Sequence, residues 1–147
     1  MEPEMQYLRQ QLDRNTQRLN CALQWLELLE TKHTLIPYFQ ARECHKIGIY
    51  GMAEFGELLQ KELDQSNGIE TVYFVDRNAD QCRRVGNIPV YLPEELPDAP
   101  EVDMIVVTAF VAFSSISRIL LKMKPELPVV SLKHILDVRV DEEWTLK

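Results

Sequence analysis

Basic residues are in the minority. Lys and Arg number 16 against 23 Asp and Glu, a net charge of -7, so the chain lacks the cationic field that draws in a phosphate backbone. No nucleic acid is expected as a partner. Most of the acidic excess falls after residue 45, which also disfavours an anionic membrane surface. Cysteine is scarce: Cys21, Cys44 and Cys82 are odd in number, far apart and without a C-x-x-C pair. That excludes a disulfide framework and fits free thiols in a reducing compartment. No apolar run approaches the roughly 20 residues that span a bilayer. The acidic start Met1-Glu2-Pro3-Glu4 is the reverse of a signal peptide's basic n-region. The expectation is a cytoplasmic chain with no membrane insertion.

Chemical signatures are sparse as well. There is no Y-x-x-x-K pair of the kind that short-chain dehydrogenases use for proton transfer, and no G-x-S-x-G elbow for acyl transfer. His33, His45 and His134 are scattered, with no metal-ligand spacing and no nearby cysteine pair. Cys44 and His45 are adjacent, but neighbours on one backbone seldom face each other as nucleophile and base. Glu94-Glu95 and Asp141-Glu142-Glu143 read as solvated surface charge. No catalytic residue and no metal ligand is assigned.

What is present begins with helix. Neither Pro nor Gly occurs from Met5 to His33, and strong helix formers dominate. Met5, Leu8, Leu12, Asn15, Leu19, Ala22, Leu26 and Leu29 recur at alternating three- and four-residue spacing, the seam of helices packed at a shallow angle. Leu23, Trp25 and Leu28 widen the apolar face toward the end that docks on the body or on a partner. A 29-residue helix runs about 43 Å, longer than a domain of this size covers. Residues 1–33 therefore read as a helix for packing or dimerisation, with a homodimer expected. Thr34 to Cys44 reads as a hinge, in which Pro37 can open a short helix.

With 147 residues, 46% hydrophobic and 27% charged, the chain suits one globular core. From Lys46 onward short apolar runs alternate with helical segments, the pattern of parallel β-α-β units. Strands are expected at 46–50, 71–75, 88–91, 104–107 and 128–130. Helices are expected at 54–63, 113–123 and from an N-cap at Ser131 through Leu136. Residues 76–87 are too polar for a packed crossover helix and read as a loop with at most one turn. Pro93 to Leu96 reads as a single helical turn. The fold class is α/β: a doubly wound, mainly parallel sheet of four to five strands behind a long amphipathic helix.

The segment Gly48-Ile49-Tyr50-Gly51-Met52-Ala53-Glu54-Phe55-Gly56 lies where the first strand gives way to the first following helix. In a G-x-G-x-x-G turn the first glycine makes the bend, the second admits a pyrophosphate, and the third lets helix pack on strand. Gly51 and Gly56 take the first and third places. Ala53 takes the second, where its methyl group crowds a pyrophosphate. The helix N-terminus offers amide donors and a positive dipole end, whereas Glu54 repels phosphate if it faces the ligand. Asp76 ends the second strand 25 positions after Gly51, near the roughly 20-residue interval at which an acidic residue takes a ribose hydroxyl. Arg77 beside it is suited to a phosphate, and Asp76 with Asn78 is equally suited to shaping the turn. Thr108 follows the central strand at the carboxyl edge, placed for a phosphate or ribose, or for a helix cap; Ser114 and Ser115 come next. The candidate ligand-binding residues are Gly51, Met52, Ala53, Glu54, Phe55, Gly56, Asp76, Arg77 and Thr108.

The stretches IYGMAEFGELL, VYFVDRN, IPVYLPEELP, VDMIVVTAF and PVVSLKHIL, in this order over about residues 34 to 138, resemble the Rossmann-like domain of bacterial capsular-polysaccharide and glycosyltransferase-associated proteins. More loosely, the chain is similar to the N-terminal domain of sugar acyltransferases that hold a nucleotide sugar. The resemblance implies a Rossmann-like domain at 34–147 and a role near cell-surface glycan synthesis, commonly beside a separate catalytic domain. The function expected is an accessory module for a nucleotide-type small molecule, NAD(P) or a nucleotide sugar. One alternative is a structural or interaction module that has lost its ligand. Another is an NAD-dependent sugar-nucleotide enzyme, which needs a base that the sequence does not display.

Overall fold

The computed structural model describes residues 2–145. Helix α1 (Pro3–Glu30) opens on a proline at its first position, where no helical N–H is lost. The short α2 (Ile36–Ala41) follows, and then the α/β body: β1 (Lys46–Tyr50), α3 (Glu54–Asp64), β2 (Glu70–Val75), β3 (Arg84–Val85), β4 (Ile88–Tyr91), β5 (Met104–Val107), α4 (Phe113–Met123), β6 (Val129–Ser131) and α5 (Leu132–Thr145). One sheet runs in the order β3-β4-β2-β1-β5-β6. Every neighbouring pair is parallel except β3 with β4.

Strand alternation sends the two faces of this sheet into two cores. Ile47, Ile49, Phe74, Met104 and Val106 face the layer of α1, α2, α3 and α5. Tyr50, Tyr73, Val75, Ile105 and Val107 face α4 and the 3-10 turn at Pro93–Asp98. The sheet is doubly wound, and all four residues of β5 are buried because both faces are covered.

Two local expectations change. Residues 76–87 hold a 3-10 turn at Ala79–Gln81, and also β3, which the polar composition had concealed. Gly86 adopts φ +61 and, with Asn87, folds the chain back so that Val85 pairs with Ile88, the two-residue hairpin that a Gly-Asn step favours. The second change is at the end: the Ser131 Oγ accepts the His134 N–H at 3.0 Å as a cap should, but the helix continues past Leu136 to Thr145. Glu94, Asp141 and Glu142 are exposed, as surface charge should be, and Glu95 and Glu142 also have partners. Glu95 accepts the Leu92 N–H and pairs with Arg83, and Glu142 pairs with Arg139 at 3.0 Å. The Glu143 side chain lies outside the described residues.

The expected seam of α1 is not the face that docks. Leu8, Leu12 and Leu19 are 60%, 66% and 59% exposed, while Cys21, Trp25 and Leu28, on another stripe, are buried. The Trp25 Nε1–H donates to Glu62 of α3 at 3.1 Å, and the Leu35 N–H donates to the other Glu62 oxygen at 2.9 Å. Gln24 donates to Asp137 of α5 at 2.8 Å and accepts from Lys133 at 3.0 Å. The C-terminal half of α1 is thus part of the body's own core. Among the described residues no helix is long and apolar enough to cross a membrane, and no group of three His, Cys, Asp or Glu is placed to hold a metal. The three cysteines are unpaired, and burial pushes the Cys21 thiol up to about 11, which keeps it protonated at neutral pH.

Candidate functional site

Strand β1 has β2 on one side and β5 on the other. The chain leaves β1 for α3 on one face and leaves β5 for α4 on the opposite face. The connections diverge there, and a crevice opens at the carboxyl ends, the place where open α/β sheets take their ligands. It encloses about 650 Å³.

The bend after β1 demands its two glycines. Gly51 has φ +108, and a Cβ on it would lie 2.4 Å from the Thr108 Oγ1. A Cβ on Gly56 would lie 2.0 Å from the Gly51 carbonyl oxygen, so the third-place glycine is what lets α3 pack against the bend. Ala53 is the N-cap of α3 and has no oxygen with which to close the first turn. That end of α3 faces the crevice with no side-chain cap, and with Glu54 in its first turn.

Asp76 braces the bend from β2. One carboxylate oxygen accepts the Met52 N–H at 3.0 Å and the other accepts the Asn78 N–H at 2.8 Å. The carboxylate so combines the turn-shaping role with a place on the crevice wall, and it retains further acceptor directions for a hydroxyl donor. The buried Thr108 hydroxyl donates to the Tyr50 carbonyl at 2.9 Å and to the Gly51 carbonyl at 3.3 Å. Its proton is spent on β1, so toward the crevice it offers lone pairs, suited to a ribose hydroxyl and not to a phosphate.

Of the nine candidate residues, Gly51, Ala53, Glu54, Phe55, Asp76 and Thr108 line the crevice. Met52 packs against the core, Gly56 is buried beneath the bend, and Arg77 is exposed and off the wall. Ser115 lines the crevice and Ser114 does not.

Sequence reasoning missed one whole wall. Gln11, Arg14, Asn15 and Arg18 of α1 face the bend across the crevice. The available signal was a second stripe: Gln11, Arg14 and Arg18 continue, at three- and four-residue steps, into the docking residues Cys21, Trp25 and Leu28. Phe55 joins this wall to the sheet. Its ring stacks near-parallel on Trp25 with centroids 6.5 Å apart, meets Phe110 edge-on at 6.0 Å, and carries the Arg18 guanidinium 5.9 Å above it. Arg18 also reaches Glu54 at 3.4 Å.

No protein-family model and no curated protein sequence matches the chain. Among solved structures, UDP-D-quinovosamine 4-dehydrogenase from Vibrio fischeri is similar, with a TM-score of 0.52 and 20% identity over 59% of this chain and 76% of that one. At that identity the likeness speaks to fold alone. With the strand order and the two covered faces, it makes this chain a Rossmann-like α/β protein whose crevice sits at the switch point of the sheet.

Proposed function

We propose that the chain is an accessory Rossmann-like module that holds a nucleotide-type molecule, NAD(P) or a nucleotide sugar, in the switch-point crevice and serves bacterial cell-surface polysaccharide synthesis. One observation carries the binding reading: the sterically required glycine bend and the uncapped end of α3 open onto the same 650 Å³ crevice as Asp76. The sequence resemblance to glycan-synthesis proteins and the fold shared with a UDP-sugar dehydrogenase support the choice of ligand class. Thermal-shift measurements against NAD, NADP, UDP-sugars, CDP-sugars and coenzyme A test this. A ligand at a hundred times its Kd adds about 2.7 kcal/mol, or a rise of about 5–10 °C for a chain of this size. An unmoved midpoint with every compound overturns the reading.

A second reading, an interaction module assembled through α1, is favoured by the exposed leucine row. Leu8, Leu12, Leu19 and Leu26 are each more than half exposed and lie on a stripe separate from the docking residues, as the a and d positions of a two-helix seam would be. Light scattering of the full chain is expected to give a dimer, and Leu12→Lys with Leu19→Lys a monomer of unchanged fold. A monomer in the unaltered chain removes this reading and leaves nucleotide binding standing.

A further inference from the structure

We infer that Arg14 and Arg18 of α1 form a clamp for the diphosphate of the ligand, and that Glu54 is a built-in anion that occupies Arg18 until the diphosphate displaces it. This rests on the nucleotide-binding reading and adds to it a requirement: the ligand is recognised through its phosphates by the N-terminal helix, not through the glycine bend alone.

The placement comes from helix geometry. Positions 11, 14, 18, 21, 25 and 28 form one stripe, since steps of three and four keep side chains on a single face. Over the sheet that stripe is apolar and buried, as Cys21, Trp25 and Leu28; where it passes the crevice it changes to Gln11, Arg14 and Arg18. Arg18 has contacts of its own there, with Glu54 and over the Phe55 ring, but none of the ion pairs among the described residues involves Arg14. In a chain of net charge -7, two guanidinium groups facing one crevice are a local exception to the general charge.

The opposite wall explains why both cations are there. Ala53 keeps a methyl group where a dinucleotide bend has glycine, so the bend alone makes a poor pyrophosphate seat. The arginines face the uncapped end of α3 from across the crevice, and guanidinium groups hold phosphate oxygens in pairs. The crevice is balanced without ligand: Arg14 and Arg18 stand against Glu54 and Asp76. Asp76 is held by the Met52 and Asn78 amides, and Glu54 reaches Arg18. No carboxylate pairs with Arg14 among the described residues. The Arg18–Glu54 contact is long at 3.4 Å, with side chains 52% and 81% exposed, and an ion pair so open to water is weak enough to be exchanged. A diphosphate therefore replaces one exposed carboxylate and gains a second cation.

Titration calorimetry of the full chain with inorganic pyrophosphate, UDP, NAD and uridine tests this. UDP, NAD and pyrophosphate are expected to bind, each weakening on added salt, and uridine to bind weakly without salt dependence. Arg14→Gln and Arg18→Gln should each weaken UDP about tenfold, with uridine unmoved, and Arg18→Lys should recover part of the loss. Glu54→Gln should tighten UDP several-fold, the opposite of what losing a merely structural contact would do. Circular dichroism and melting of each variant separate these effects from misfolding. If UDP or NAD binds the Arg14→Gln/Arg18→Gln double variant as well as the unaltered chain, the clamp is overturned while nucleotide binding survives. If Glu54→Gln leaves UDP affinity unchanged or weaker, the displaced-anion role is overturned. If no probe binds the unaltered chain, both readings fall.

Discussion

Glu62 spends both carboxylate oxygens on donors from two other elements, the Trp25 indole and the Leu35 amide. Burial pushes its carboxyl above the ordinary value, against the lowering effect of those two donors and of Arg139. Between the unfolded and the folded values the folded state therefore carries more protons, and this group's contribution to stability falls as pH rises through that window. Glu62→Gln keeps the shape but offers one acceptor in place of two, and should cost about 1–2 kcal/mol; Glu62→Ala strands both donors and should cost about 3 kcal/mol. Urea unfolding at pH 7 measures both. Thr71 is the reverse case. Its hydroxyl is buried without a partner, so Thr71→Val, which replaces it with a methyl group, should stabilise by about 1 kcal/mol in the same assay. Such residues are hard to read from sequence. A glutamate in an amphipathic helix looks like solvent-face charge, and only the chain's return past Trp25 and Leu35 makes it a buried acceptor. Gly51 and Gly56 are legible for the opposite reason: what they satisfy is a local backbone requirement, set within six residues.

Elements follow the same rule. β1, β2 and β5 stand out because a strand covered on both faces must be apolar throughout, and turn residues bound each run. β3 is only two residues long and owes its existence to the Gly86-Asn87 turn, so hydrophobicity could not reveal it. In α1 the stronger periodic signal, the leucine row, masked a second stripe that packs against the body and walls the crevice. Pairing between elements also has a pH signature. A single oxygen of Asp103, just before β5, accepts the His45 and Lys46 amides at 2.8 and 2.9 Å and fixes the start of β1 beside it. Those bonds hold its carboxyl below the ordinary range, so the stabilisation is complete above the unfolded value and is lost as pH falls through the folded one. Asp103→Asn should be less stable than the unaltered chain at pH 7, and the gap should close between about pH 5 and pH 2. Urea midpoints across that range check it; a gap that is constant with pH would assign the loss to shape alone.

At the scale of the molecule, the alternation of strands and helices was enough to foresee a doubly wound sheet and the carboxyl edge at which its crevice opens. The association of α1 with that edge was not foreseeable, because it depends on how a long helix lies across the sheet and not on any spacing within the sheet itself. One consequence is optical. Trp25 is 4% exposed and stacked on Phe55, whose other side belongs to the crevice wall. An occupant that shifts Phe55 alters the surroundings of one of the chain's two indoles, so tryptophan emission should change in intensity as the crevice fills, and Trp25→Phe should abolish the change. If the proposed ligand binds there, Trp25 serves as a label-free gauge of occupancy, and emission unmoved by a bound ligand would show that Phe55 stays in place.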